Sequence, residues 1–238
     1  MSNNVLETAR LSSQVLAQLL GAEMVGLSER LAGLAAGRLG GDTLGVLGEP
    51  GVARLAEQAG LGAELAGVLL DARSGQTLEA ESTVRLAEDL GAALQLAERT
   101  ALAELTAGVL AEHLGYRVTL EVGEAATGIE AWRGDEVVLV AVSNAERLEL
   151  LIDQAGAPDC AGGLAALEEA LCERGVILER LGEAPHEPED GPLIARAAAT
   201  GEASLATGIA RHARVASNRS RPRAERELAR PQLETGLG

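Results

Sequence analysis

The chain contains no lysine and no phenylalanine, and Trp132 and Tyr116 are its only aromatic residues. The missing Lys closes whole classes of chemistry: no Schiff base, no lysine general base and no phosphate-binding P-loop lysine can form. All 20 basic residues are Arg. With the bias towards Ala, Gly, Leu and Glu, this composition points to a bacterial genome rich in GC. Without Phe, the core must rest on Leu, Val and Ala. Each buried Leu contributes roughly 1.5–3 kcal/mol and each Ala much less, so such a core needs many contacts per residue or a second copy of the chain. Two cysteines, Cys160 and Cys172, make no disulfide framework in 238 residues. No apolar run approaches the ~18–20 residues of a membrane span, and Met-Ser-Asn-Asn is not the start of a signal peptide. The expectation is a cytoplasmic protein without membrane contact.

Charge narrows the class further. The formal net charge is −16, which argues against a general nucleic-acid binder, because neutralising phosphates requires a cationic surface. The distribution is uneven. From Arg211 onward seven Arg face three acids, leaving +4 on the tail and −20 on the rest. Nucleic acid is therefore expected only through the C-terminal tail, and the alternative this leaves is a nucleic-acid-linked regulator acting through those Arg residues.

Hydrophobic periodicity predicts an α+β protein, predominantly helical, with long N-terminal helices followed by a small antiparallel β-meander covered by a helix. Residues 1–76 read as a helical region. Over residues 4–39, Leu16, Leu20, Met24, Leu27, Leu31 and Leu34 form one apolar stripe at helical spacing. Glu49-Pro50-Gly51 breaks the pattern, and residues 52–71, interrupted by Gly60, Gly62 and Gly67, predict one loose helix or two short ones. Residues 77–181 form the second unit. It opens with a helix over 78–114, with Thr77 as a candidate cap and Gly115 at its end; Leu86, Leu90, Leu94 and Leu105 share one face. The period then changes to two. Strands are predicted at 116–122, 129–132, 137–142 and 147–153, the third apolar throughout as in a strand covered on both faces. A helix over 161–174 stops at Gly175, with a short strand at 176–178. Residues 182–192, with three prolines and four acids, read as an acidic linker. An Ala-rich segment and a disordered basic tail complete residues 182–238.

The helix–meander–helix–strand order over 78–178 resembles the αβββαβ core of restriction-endonuclease-like nucleases. In that family a carboxylate on the second strand and an acid-x-Lys group on the third hold a divalent metal. Glu130, in Gly128-Ile129-Glu130-Ala131, occupies the first position, whereas the third strand reads Val140-Ala141-Val142, without acid or Lys. The resemblance implies an enzyme core of this shape, degenerate at its metal motif.

Other candidate groups have bland readings beside them. Asp135, Glu136, Asp153 and Asp159 gather around the meander loops and would form a carboxylate site with Glu130 only if those loops converge. Cys160 precedes a helix, where backbone dipoles favour a thiolate, although Asp159 opposes it; Cys172 reads as a core residue. His113, His186 and His212 share no ligand spacing, so no metal and no cofactor are expected. Arg133-Gly134-Asp135 reads as a turn. Trp132 and Tyr116 belong either to the core or to an interface, where such residues are enriched. The reading that follows is a non-enzymatic interaction or assembly protein. It self-associates or binds a partner protein through Leu86, Leu90, Leu94, Leu105 and Trp132.

Overall fold

The computed structural model describes residues 2–38, 42–74, 80–123, 126–144, 148–155 and 160–186. The expectations for Thr77, Asp159, the end of the linker, the Ala-rich segment and the basic tail lie outside them. The architecture is α+β and mostly helical, with seven α-helices and one six-stranded antiparallel sheet among the described residues.

The chain opens with β1 (Ser2–Leu11), followed by α1 (Ser13–Leu19), a 3-10 turn (Ala22–Met24) and α2 (Leu27–Ala35). Next come α3 (Thr43–Leu47), α4 (Pro50–Gln58), α5 (Gly62–Arg73) and the long α6 (Ala80–Gly108), which runs into a π-turn at Val109–His113. The meander is β2 (Arg117–Val122), β3 (Ala126–Arg133), β4 (Glu136–Asn144) and β5 (Leu148–Ala155); α7 (Cys160–Glu173) and β6 (Val176–His186) complete it. The strand order is β2-β3-β4-β5-β1-β6.

One continuous helix over 4–39 is therefore incorrect. Residues Ser2–Leu11 form a strand between β5 and β6. Asn3, Asn4 and Thr8 are weak helix formers, and Val5, Glu7, Ala9 and Leu11 alternate inward, all of them buried. Glu7 at an inward position hides that alternation from a hydropathy reading. The remainder is broken where the backbone turns left-handed at Gly26, φ 71°. The apolar stripe survives the break: Met24, Leu27, Leu31 and Leu34 are all buried. The second stretch is two helices, α4 starting on Pro50 and α5 starting after Gly60.

The linker also begins later than expected, because residues 182–186 extend β6 against β1. An edge strand tolerates Pro185 there, since its free side requires no backbone donor.

Two hydrophobic clusters share α6. Its N-terminal half places Leu86, Leu90 and Leu94 among Leu27 and Leu31 of α2 and Val52 and Leu55 of α4. Its C-terminal half places Leu102, Val109 and Leu110 on the sheet, with Val138, Val140 and Val142 of β4 and Leu164, Leu167 and Leu171 of α7. Leu139 and Ala141, pointing the other way, are buried too, so β4 is covered on both faces as its unbroken apolar run predicts.

Gly175 fastens the end of α7 to the start of α1. It ends α7 at φ 80°, and its carbonyl accepts from Ser12 N at 3.1 Å. A Cβ at this position would meet Ser12 Oγ and Val15 Cγ2, both at 2.8 Å. Gly175→Ala is expected to destabilise by about 1–3 kcal/mol from backbone strain and crowding together. Urea unfolding of the variant measures it, and a loss below about 0.5 kcal/mol would contradict the packing described.

Candidate functional site

The residues expected to form an interaction surface do not all face outward. Leu86 and Leu90 are 0% exposed and Leu94 is 1% exposed. Their stripe is covered by α2 and α4 of the same chain, which corrects its assignment to an intermolecular seam. Leu105 is half-buried against the sheet core. Trp132 is half-buried on β3, paired with Arg117 on β2 and Val137 on β4. Tyr116 is buried and belongs to the core.

Uncovered apolar surface occurs on α5 and the neighbouring face of α6. In α5, GAELAGVLLDAR, only Leu65 is buried. Leu70 is 67% exposed, and Val68 and Leu69 are half-buried. An apolar helix with so little cover differs from an ordinary surface helix, which hides its apolar side and presents charges. Beside it runs a groove of 670 Å³ between the α4–α5 connection and α6, with Leu55, Leu61, Ala92, Ala93 and Leu96 in its wall. Leu96 is itself 46% exposed. Asp89 lines the groove, and the exposed acids Glu57, Glu64 and Asp71 stand on the flanking helices.

The carboxylates considered for a metal site are not brought together. Glu130 pairs with Leu139, and Leu139 with Asp153. At about 4.8 Å per strand, their backbones lie about 10 Å apart with a leucine between them. Asp135 is exposed in the β3–β4 turn. No group of three His, Cys, Asp or Glu suited to a metal ion occurs among the described residues. The meander also has four strands before α7, and β1 separates β5 from β6. Cys160 is the first residue of α7, one position inside the helix it was expected to precede. Cys172 is exposed rather than in the core, because α7 directs Leu164, Leu167 and Leu171 to the sheet instead. His113 is exposed in the π-turn.

The Arg-Gly-Asp turn is structural. Arg133 Nε and Nη2 donate to Glu136 Oε2 at 2.9 and 2.7 Å, and Nη1 donates to the Leu114 carbonyl at 2.7 Å. The guanidinium stacks 4.6 Å from the Tyr116 ring centroid, and the Tyr116 hydroxyl donates to Glu136 at 3.1 Å. This network fastens the hairpin tip to the end of the long helix. Arg133 holds the Glu136 carboxyl below its ordinary range.

A charged group inside the fold is the feature that sequence reasoning missed. Glu7, in the middle of β1, is 2% exposed. Arg180 of β6 approaches its Oε1 at 3.7 Å and also pairs with Glu168 of α7. Glu7 Oε2 is buried with no hydrogen-bond partner among the described residues. Burial, reinforced by the neighbouring Glu168 carboxylate, pushes the Glu7 carboxyl up to about 7 against the opposing pull of Arg180. Glu7 therefore takes up its proton near neutrality. The only sequence signal was the position itself: an acid at the inward place of an otherwise alternating segment.

No helix of the described residues is long and apolar enough to cross a membrane. No protein family, characterised protein or solved structure matches the chain.

Proposed function

We propose that this is a cytoplasmic, non-enzymatic interaction or assembly protein that docks a partner on the α4–α5–α6 side of its helical layer. The observation that carries this reading is α5, an apolar helix with a single buried residue, lying beside an apolar groove with Leu96 exposed. Covering Leu70 of α5 and the groove wall at Leu96, Ala92 and Ala93 supplies burial that the isolated chain lacks. Charge selects the occupant. The acids around the groove and the net charge of −16 favour a partner with a basic amphipathic helix and oppose a second copy of this chain.

Leu70→Asp combined with Leu96→Asp tests the reading. Both positions are exposed, so helix content and unfolding midpoint should change little, within about 0.5 kcal/mol per substitution. Affinity purification from the native host should recover a stoichiometric protein partner with the wild type and lose it with the double variant. Light scattering on the same samples distinguishes a foreign partner from self-association. A wild type that elutes alone as a monomer, or a double variant that retains its partner, overturns the proposal.

A further inference from the structure

A second concavity, lined like the first by residues of α6, lies where α1 and α6 meet one end of the sheet. It encloses 550 Å³, within the range of small-molecule sites. Leu11, Leu16, Leu148 and Ile177 supply apolar wall, and Ile177 at 48% exposure presents a large hydrocarbon surface to the opening. Three charged side chains line the same space: Glu98 from α6, Arg10 from β1 and Glu179 from β6. Arg10 and Glu179 are exposed, whereas Glu98 is half-buried.

The electrostatics of Glu98 are one-sided. Desolvation alone raises its carboxyl above the ordinary range, and no cation opposes the shift. No ion pair or hydrogen bond to its side chain is made among the described residues. A carboxylate withdrawn from water beside hydrocarbon lacks its counter-charge. A ligand carrying that counter-charge on an apolar body satisfies both parts of the site.

We propose that this cleft binds an organic ammonium ion, with its cationic head against Glu98 and its hydrocarbon body against Leu16, Leu148 and Ile177. Among the described lining residues Glu179 and Arg10 carry opposite charges at the exposed opening and offset each other, which leaves Glu98 to set the preference for a cation. Protonation of Glu98 removes the attraction, so affinity is greater at pH 8 than at pH 5.

Three probes of equal size separate charge from hydrophobicity: n-hexylammonium, 1-hexanol and hexanoate, titrated into the full-length protein and followed by amide chemical shifts of Ala9 and Ile177. At pH 8 hexylammonium should bind about tenfold or more tightly than hexanol, the range of a charge-assisted hydrogen bond, with hexanoate weakest. Glu98→Gln should bring hexylammonium down to the level of hexanol and abolish the difference between pH 5 and pH 8. Ile177→Arg, at an exposed position, should weaken hexylammonium binding without altering Glu98. Equal affinity for amine and alcohol, no binding of hexylammonium, or a preference for the amine that survives Glu98→Gln each overturns the proposal.

Discussion

Leu90→Asp is expected to unfold the helical layer while leaving the sheet module folded. Leu90 is fully buried in the cluster formed by α2, α4 and α6. Truncating such a leucine to Ala typically costs about 2–5 kcal/mol. Asp adds a charge among apolar side chains, which brings several kcal/mol more. The sum is comparable with the roughly 5–15 kcal/mol that holds an entire domain together. The sheet core draws on different side chains, among them Leu102, Val140, Ile152 and Leu171. Amide hydrogen exchange should therefore show protection lost across α2 and α4 and retained in β3, β4 and β5. Uniform loss would mean that the two clusters are one cooperative unit. Unchanged protection would mean that Leu90 is not where the structure places it. Any loss of association in this variant reports unfolding, so the exposed Leu70 and Leu96 are the positions that test docking.

Glu7→Gln should change how stability depends on pH. The Glu7 carboxyl is raised from 4.5 to about 7 by burial and by Glu168, so the folded state holds its proton more tightly than the unfolded state does. The stabilisation from that proton is complete below about pH 4.5 and is lost as pH rises through about 7. A shift of this size corresponds to a change on the order of 3 kcal/mol. Gln cannot ionise, and it leaves Arg180 paired with Glu168. The variant should therefore match the wild type near pH 4.5, exceed it in stability at pH 8 and show a flatter profile between. Urea denaturation of both proteins at several pH values decides the matter. Equal slopes, or a less stable variant at pH 8, would show that Arg180 fully neutralises Glu7 in the folded state.

Legibility in the sequence followed the regularity of the pattern. The meander, the long helix and the left-handed stop at Gly175 were readable because their periods are unbroken. β4, whose apolar run admits no polar residue from Val137 to Val142, was placed to within two residues. The failures fall where one residue serves against the local pattern. Glu7 is a charged side chain on an inward position, so β1 read as the start of a helix. Pro185 reads as linker unless the segment is known to lie at a sheet edge, and only the pairing with β1 reveals that. The stripe of Leu86, Leu90 and Leu94 was recognised as a buried face, but periodicity cannot say whether the covering helix belongs to the same chain. The α5 groove and the Glu98 cleft assemble from distant segments and leave no local signature.

The position of β1 imposes an order on how the protein is made. Thr8 donates to the backbone of Glu179, a residue 171 positions away, and β1 is hydrogen-bonded on one side to β5, the last strand of the meander, and on the other to β6. At ~5–20 residues per second, β1 waits on the order of ten seconds or more after its own synthesis before β6 exists to pair with it. Throughout that interval an amphipathic strand with two open edges is tethered to a helical layer that can already close around α6. The charges at Glu7 and Arg10 are of the kind that disfavours pairing of an open strand with strands of other chains. The same acid that is costly to ionise in the folded sheet thus disfavours stray pairing while the strand is open.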